Sequence, residues 1–264
     1  MSLKNRLNAL LALLLGCGSW SAQASGAPRP GQSTVDEALQ FFGRVNAASL
    51  LEPAGSHGSI GTDVGAGMVS VTPPEHNALL NSQLGDDRSG KSVGIPRIWL
   101  LRGLPIPVDA GITAAGPAGS GKGSAFTQVS AALQWTVYEA LARPALTLRG
   151  SYGKLYGVTG TTLTSAGGEV VVSYGVLSYL TFYGRIGAVQ HEGSVTIQPQ
   201  QFDSLQLAES GSSPLSFRSS WLEPVRAAGI RLRFGATRLT ITGEADLEAG
   251  VNHADYGAKI SYAL

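Results

Sequence analysis

The chain has 264 residues, of which 43% are hydrophobic and only 14% are charged, and its formal net charge is +1. This length fits one barrel or two small domains, and the lack of an eighteen-residue apolar run after the N-terminal region disfavours a helical membrane protein. The near-neutral charge gives no electrostatic case for nucleic acid or acidic partners.

Residues 1–24 have the pattern of an export signal, with a basic start, an apolar core and the small-x-small cleavage site Ala22-Gln23-Ala24. Cys17, the only cysteine, is then discarded with the signal. A second interpretation places Cys17 in the lipoprotein-like box Leu14-Leu15-Gly16-Cys17, but the cut after Ala24 lies at the expected distance from the apolar core. Without Cys17, no disulfide or thiol chemistry remains.

Residues 25–60 are predicted to form a linker and an amphipathic helix. Thr34 and Glu37 fit a capping box, and apolar residues from Val35 to Val45 follow at helical spacing, which predicts a helix over about 35–50. If the rest of the chain forms a β-barrel, two roles are open for this helix: packing beneath the barrel on the periplasmic side, or plugging its lumen. We favour the first, because small barrels leave little interior room.

From residue 62 the side chains alternate with a period of two, which predicts strands with one apolar and one polar face. In the clearest strand, the odd-numbered residues Leu239 and Ile241 lie on one face, and the even-numbered residues Thr242 and Glu244 lie on the other. We call the odd or even set of positions in a strand its parity. The predicted strands cover 62–71, 92–102, 107–115, 125–140, 145–155, 162–175, 179–190, 220–235, 237–251 and 254–264. The second is the weakest assignment, because Pro96 and Arg97 disturb either parity.

The connections alternate between tight and long, with the longest over 72–91 and 191–219. Short periplasmic turns and longer outer loops are typical of outer-membrane barrels. Residues 61–264 are therefore predicted to form an all-β domain: a closed, antiparallel, up-and-down transmembrane β-barrel of about ten strands, with eight or twelve as alternatives. A soluble β-sandwich is the rival fold, but the outward parity is too uniformly apolar for it.

The last strand resembles the C-terminal signal by which the barrel-assembly machinery recognises bacterial outer-membrane barrels. Gly257, Ile260, Tyr262 and Leu264 carry it, with Leu264 in place of the usual Phe. A wider resemblance, to an uncharacterised proteobacterial family of predicted barrels, is carried by residues 146–152, 168–175 and 182–187. It implies an outer-membrane fold and a Gram-negative outer-membrane location after export to the periplasm, with membrane lipid and the assembly machinery as partners. It implies no established activity.

Charged residues of both signs fall on the inward parity. They are Arg149, Glu169, Arg185, Arg231, Arg233, Arg238, Glu244, Asp246, Glu248 and Lys259. Buried charge is costly unless paired, so these residues either form an ion-pair network that fills a narrow lumen or line a water-filled, porin-like path. We favour the filled lumen, because the interior of a small barrel is packed. The predicted role is then structural, or limited to passage of small solutes.

His76, His191 and His253 fall at predicted outer ends of the barrel. Catalysis needs acids and bases within hydrogen-bond reach of the reacting proton, so His191, His253 and Asp255 are the candidates for a hydrolase at the outer rim. An exposed loop histidine is usually only solvated, and the sequence has neither a serine nucleophile elbow nor a His pair at metal spacing. We therefore expect no enzyme and no metal. Ligand binding by the long outer loops, as in an adhesin, is the other alternative.

The segment from Gly116 to Gly123 imitates a phosphate-binding loop. Gly123 stands where that motif needs Ser or Thr for magnesium, and a strand follows instead of a helix. The segment is therefore predicted to be an outer loop, and no cofactor is expected.

Overall fold

A computed structural model of the chain describes residues 31–47, 50–58, 61–75, 77, 79–80, 91–116, 126–139, 144–199, 213–235, 238–247 and 255–264. The predicted export signal with Cys17 lies outside these residues, and so do His76, Glu248 and His253. Residues 117–125, which hold most of the imitation phosphate loop, also lie outside them. Within the described ranges, no helix is long and apolar enough to cross a membrane.

The described chain folds into one helix and a sheet of ten strands. They are α1 (Gln32–Asn46), β1 (Thr62–Val71), β2 (Val93–Gly103), β3 (Val108–Ala115), β4 (Thr127–Tyr138), β5 (Pro144–Tyr156), β6 (Thr161–Leu177), β7 (Leu180–Ile197), β8 (Leu215–Phe234), β9 (Leu239–Asp246) and β10 (Tyr256–Ala263). Each strand pairs with its sequence neighbours, and β1 also pairs with β10, with Asp63 opposite Ala263. The predicted ten-stranded, closed antiparallel barrel is confirmed.

The outward side chains of the wall are large, apolar and exposed. They include Val64, Met68, Ile98, Leu100, Ile112, Leu133, Ile186, Ile230, Ile241 and Ile260. Tyr174, Phe234 and Tyr262 are exposed close to the tight-turn end. An apolar band with aromatic residues at its border is the surface that a barrel presents to lipid. The chain is thus a bacterial outer-membrane β-barrel, and the rule that periplasmic turns are short and outer loops are long assigns its tight turns to the periplasm and its long connections to the outside.

The wall is tallest at β7 and β8, which have 18 and 20 residues. The connection predicted over 191–219 is therefore too long: β7 continues to Ile197, and β8 begins at Leu215. Conversely, β9 ends at Asp246 and not at residue 251. The extensions form because their inward side chains, such as Val195 and Phe217, are buried against α1, a long-range contact that strand periodicity does not encode.

Helix α1 lies inside the barrel, where it contacts β1 and β4 to β8. The preference for packing beneath the barrel is therefore wrong. The room comes from small inward residues: a Cβ on Gly193 would lie 2.8 Å from Leu39 Cδ2. The predicted capping box is also wrong, because Gly31, with a left-handed φ of 82°, precedes the first helical residue and no side chain caps the helix.

Candidate functional site

The lumen is occupied by the chain itself, and we call residues 31–47 and 50–58 the plug. In the outer half, the buried side chains of Leu39, Phe42 and Val45 belong to one apolar cluster with the wall. The wall residues of this cluster include Ile95, Phe126, Leu155, Leu163, Val195, Ile197 and Phe217. Residues 50–58 then continue without regular secondary structure into the periplasmic half.

The C-terminal end of α1 is held by Arg97 of β2. Its Nη2 donates to the carbonyl oxygen of Val45 at 2.7 Å, and its Nη1 donates to that of Ala47 at 3.2 Å. Carbonyls at a helix C-terminus lack intrahelical partners and carry partial negative charge, so a cation is favourable there. The Arg97 side chain that made β2 hard to assign therefore serves the plug and not the strand.

The middle of α1 packs closely against the inner face of the wall at Gly43. A Cβ on this glycine would lie 2.6 Å from Trp221 Cζ2 and 3.2 Å from His191 Nδ1. The two rings are stacked with their centroids 4.9 Å apart. The plug therefore approaches the wall as closely as it does because position 43 has no side chain.

A chain of polar contacts fixes the plug beside this crossing. Asn46 Nδ2 donates to Ser165 Oγ at 2.7 Å, Ser165 Oγ lies 2.8 Å from His191 Nδ1, and His191 Nε2 lies 3.0 Å from a carboxylate oxygen of Glu223. Serine, histidine and acid are the residue types of a hydrolase triad. However, Ser165 and His191 are buried beneath the plug and line neither of the two cavities beside it, and their contacts with Asn46 dock the plug.

In the lower lumen the plug is held by Glu52, which is 1% exposed. Its carboxylate lies 2.5 Å from Arg231 Nη1 and 2.5 Å from Lys259 Nζ. The Glu52 carbonyl oxygen accepts a hydrogen bond of 2.8 Å from Arg149 Nη2. One plug residue thereby joins strands β5, β8 and β10, and its charge compensates the buried Lys259 and the partly buried Arg231.

The other inward charges form a network along the wall. Glu169 pairs with Arg149 at 2.9 Å and with Arg185 at 2.8 Å, and Arg185 also pairs with Glu244 at 2.9 Å. Tyr183 Oη donates to Glu244 at 2.9 Å. A Cβ on Gly229 would overlap the Tyr183 ring, so this glycine lets the side chain reach from β7 across β8 to β9. Charges of both signs therefore compensate one another around the plug.

His57 lies at the periplasmic end of the plug, before the first strand begins. Its backbone N and its Nδ1 both lie near the Asp109 carboxylate, with Nδ1 at 3.1 Å, and Gln134 Nε2 donates to the same group at 2.8 Å. Burial by itself lowers the pKa of His57, but the hydrogen bond to Asp109 and the charges of Glu52, Asp109 and Asp63 raise it above its ordinary value of 6.5.

Two cavities adjoin the plug. The first, of about 70 Å³, lies between the plug and the wall, and its charged lining includes Arg185, Glu169, Glu244 and Asp246. The second, of about 320 Å³, lies between helix α1 and β8; its lining includes Glu37, Gln40, Trp221 and Pro224. Both are lined by Arg44 and Glu223, so the two cavities are adjacent along one side of the helix.

The remaining predicted site residues lie at the ends of the barrel. Arg233 and Arg238 are exposed at the periplasmic end, whereas Asp255 lies at the outer end, 3.5 Å from Arg44 of the plug. His191 is a buried strand residue and not a rim residue, because β7 extends past it. No group of three or more His, Cys, Asp and Glu residues suited to a metal ion occurs in the part of the chain that the structure describes.

Several residues of the site escaped the sequence interpretation, notably Asn46, Glu52, Arg97 and Ser165. Arg97 could have been found, since a charged residue within an apolar strand signals a buried partner. Glu52 gave no such signal, because it stands in an irregular segment whose surroundings depend on strands that follow much later in the chain.

No protein-family model matches the chain, and no curated protein matches it. Among solved structures, Ail, the attachment invasion locus protein of Yersinia pestis in complex with the heparin analogue sucrose octasulfate, is 10% identical over 78% of this chain and 97% of its own, with a TM-score of 0.30. A loop L8 deletion mutant of OmpT, an outer membrane protein of Vibrio cholerae, is 8% identical over 66% and 55% of the two chains, with a TM-score of 0.31. The Ralstonia pickettii toluene transporter TbuX is 8% identical over 78% and 89%, with a TM-score of 0.28. At these TM-scores the likeness carries no argument, and the fold rests on the strand pairing of this chain.

Proposed function

We propose that this outer-membrane barrel is sealed at rest by its own plug and has a structural role that permits only limited passage of small solutes. The observation that carries the proposal is the course of the plug, which occupies the lumen from the outer connections to the periplasmic mouth. An open pore needs a continuous water path, and α1, Glu52 and the wall network interrupt it.

The space that remains lies along one side of α1. The outer cavity and the cavity of about 70 Å³ at the ion-pair network share Arg44 and Glu223 in their linings. A space of this size holds a few water molecules or one small polar solute. Closer to the periplasm, Glu52 with its cations and Tyr183 with Glu244 fill the route, so solute passage requires the plug to shift.

Conductance in planar bilayers tests the proposal. The wild-type protein should show no large steady conductance, whereas a variant with residues 31–58 replaced by a short Gly-Ser linker should show a large, salt-dependent one. Heat-modifiable migration in detergent gels establishes that both proteins are folded. Large conductance in the wild type, or a folded linker variant that does not conduct, would overturn the proposal.

A surface-binding role is the second candidate, and the height of β7 and β8 favours it. Above the apolar band, their outward positions are polar: Gln190, Glu192, Ser194, Thr196, Ser216, Arg218 and Ser220. This polar sheet extends beyond lipid and suits contact with a hydrophilic partner. Cells that produce the wild-type protein should then adhere to surfaces more than cells that produce a variant with Glu192 and Arg218 changed to Ser.

The partners proposed for assembly are outer-membrane lipid and the barrel-assembly machinery. On β10, Ile260 and Tyr262 point outward and are exposed, and Leu264 follows the strand with 65% of its surface exposed. These positions are accessible on the last strand before it pairs with β1, which supports recognition there. Changing Tyr262 and Leu264 to Ser should reduce the amount of assembled protein without changing the lumen.

A further inference from the structure

Helix α1 runs from the outer end of the barrel toward the periplasm. The N-terminal part of the helix lies at the outer end of the barrel, where Asn77 of the connection after β1 donates to the carbonyl oxygen of Thr34 at 2.8 Å and to Glu37 Oε2 at 3.2 Å. The C-terminal part lies deeper, where Asn46 donates to Ser165. The polypeptide thus runs inward from the cell surface.

The plug continues in the same direction to the periplasmic mouth. Ser173 Oγ donates to the carbonyl oxygen of Ala54 at 2.8 Å, and the Ser56 amide donates to Glu139, which follows the periplasmic end of β4. His57 reaches Asp109 near the periplasmic start of β3. The plug therefore crosses the lumen from the outer end to the periplasmic end. Strand β1 then runs in the opposite direction, from the periplasmic end to the outer end.

Glycines allow the chain to reverse its direction between the plug and β1. Gly58 has a left-handed φ of 72°, and Gly103 approaches so closely that a Cβ there would overlap the Gly58 carbonyl oxygen. The Gly103 amide donates to the Gly61 carbonyl oxygen at 2.8 Å. The chain can thus turn at the periplasmic mouth from the lumen into β1 without leaving the barrel.

The length of the plug is sufficient for a complete crossing. The 15 residues of α1 rise about 22 Å at 1.5 Å per residue, and an extended segment of the length of 50–58 adds up to about 30 Å at 3.3 Å per residue. The hydrocarbon core of a bilayer is about 30 Å thick. The plug is therefore long enough to reach from one side of the membrane to the other.

We propose that the N-terminal end of the plug, at Gly31, is exposed on the cell surface, so that the barrel carries the start of its own plug across the outer membrane. An exported chain first reaches the periplasm, and the pairing of β1 with β10 closes the wall around the plug. The plug must therefore enter the lumen before or during closure. This threading gives the barrel a surface-exposed helix end, whether or not a solute passes through the lumen.

Cysteine labelling on intact cells tests this proposal. Ser33→Cys places a thiol on the exposed first turn of α1, and a membrane-impermeant maleimide reports its location. Ser120→Cys in the connection between the outer ends of β3 and β4 is the outside control. Ser178→Cys, in the tight turn between β6 and β7, is the periplasmic control, and the wild-type chain sets the background from Cys17.

The expected result is that Ser33→Cys reacts on intact cells to the same extent as Ser120→Cys, whereas Ser178→Cys reacts only after the outer membrane is permeabilised. Heat-modifiable migration of each variant shows that the barrel is assembled. Reaction of Ser33→Cys only after permeabilisation would place the start of α1 on the periplasmic side and overturn the proposal. Absence of reaction under both conditions would mean that the start of α1 is enclosed in the barrel and would overturn it equally.

Discussion

Lys259 Nζ lies 2.5 Å from a carboxylate oxygen of Glu52, so the last strand of the barrel is bonded to the plug that fills it. The two residues are 207 positions apart in the chain. Strand β10 closes the barrel by pairing with β1. The Lys259 side chain of this strand therefore links the closing strand to the plug. Several predictions of this arrangement can be measured.

Glu52→Gln removes the negative charge shared by Arg231 and Lys259. Breaking a buried ion pair from one side costs about 3–5 kcal/mol, since the remaining charge is left uncompensated. We expect the variant to unfold at a lower urea concentration in detergent micelles, by up to this free energy. Glu192→Gln, on the exposed outward face of β7, is the matched control and should change stability little. Equal stability of both variants would mean that Glu52 does not hold the plug.

Arg185→Ala leaves the carboxylates of Glu169 and Glu244 without the cation that they share. We expect a loss of roughly 3–5 kcal/mol at most in the free energy of unfolding, again because buried charge is stranded. Arg233→Ala serves as the control, since Arg233 is exposed at the periplasmic end. If Arg185→Ala is no less stable than Arg233→Ala, the wall network is not structural.

Ile186→Arg tests the lipid-facing band. Ile186 is outward and 61% exposed, and an arginine on the lipid face of a barrel costs about 2–4 kcal/mol near the bilayer midplane. Ser194→Arg, on the same face of the same strand but farther out, should cost close to nothing. The measurement is reversible unfolding in lipid vesicles, and similar costs at both positions would contradict the assigned membrane boundary.

Gly43→Ala tests the close approach of the plug to the wall. The new methyl group would overlap Trp221, so α1 must shift away from β7 and β8. We expect conductance events in planar bilayers that the wild-type protein does not show. Gly243→Ala, at an outward position with open space around it, should leave the barrel silent. A silent Gly43→Ala barrel would show that this contact does not control the seal.

The stability of the barrel should depend on pH through His57. Its folded pKa is raised above 6.5, so its contribution is fully present below the unfolded pKa and is lost as pH rises through the folded pKa. Urea titrations of the wild type and His57→Gln between pH 5.5 and pH 8.5 measure this effect, with about 6.5 as the unfolded reference. The difference in stability between the two proteins should decrease with rising pH, and a constant difference would rule the effect out.

For several charged residues, the alternation of side chains predicted correctly that they face the lumen, but not what surrounds them there. Parity placed Arg149, Glu169, Arg185 and Glu244 on the polar face, and they do lie inside. The expected ion-pair network among these residues is present, since Glu169 pairs with Arg149 and Arg185. The network runs along the wall and does not fill the lumen, because the plug occupies the centre. The position of a residue in the alternation determines which face of the strand its side chain lies on. The ion-pair partner of that side chain depends on which other segments of the chain enter the lumen.

The alternation of side chains was enough to predict a closed barrel of about ten strands and the lipid-facing side of the clearest strands. Alternation is a local property of a strand, and lipid requires every backbone group to be paired within the wall. The folded structure was needed to show that α1 fills the lumen, that Arg97 holds its end and that Glu52 pairs with Lys259. These contacts join residues far apart in the chain, so no local spacing encodes them, and their geometry exists only after the wall has closed.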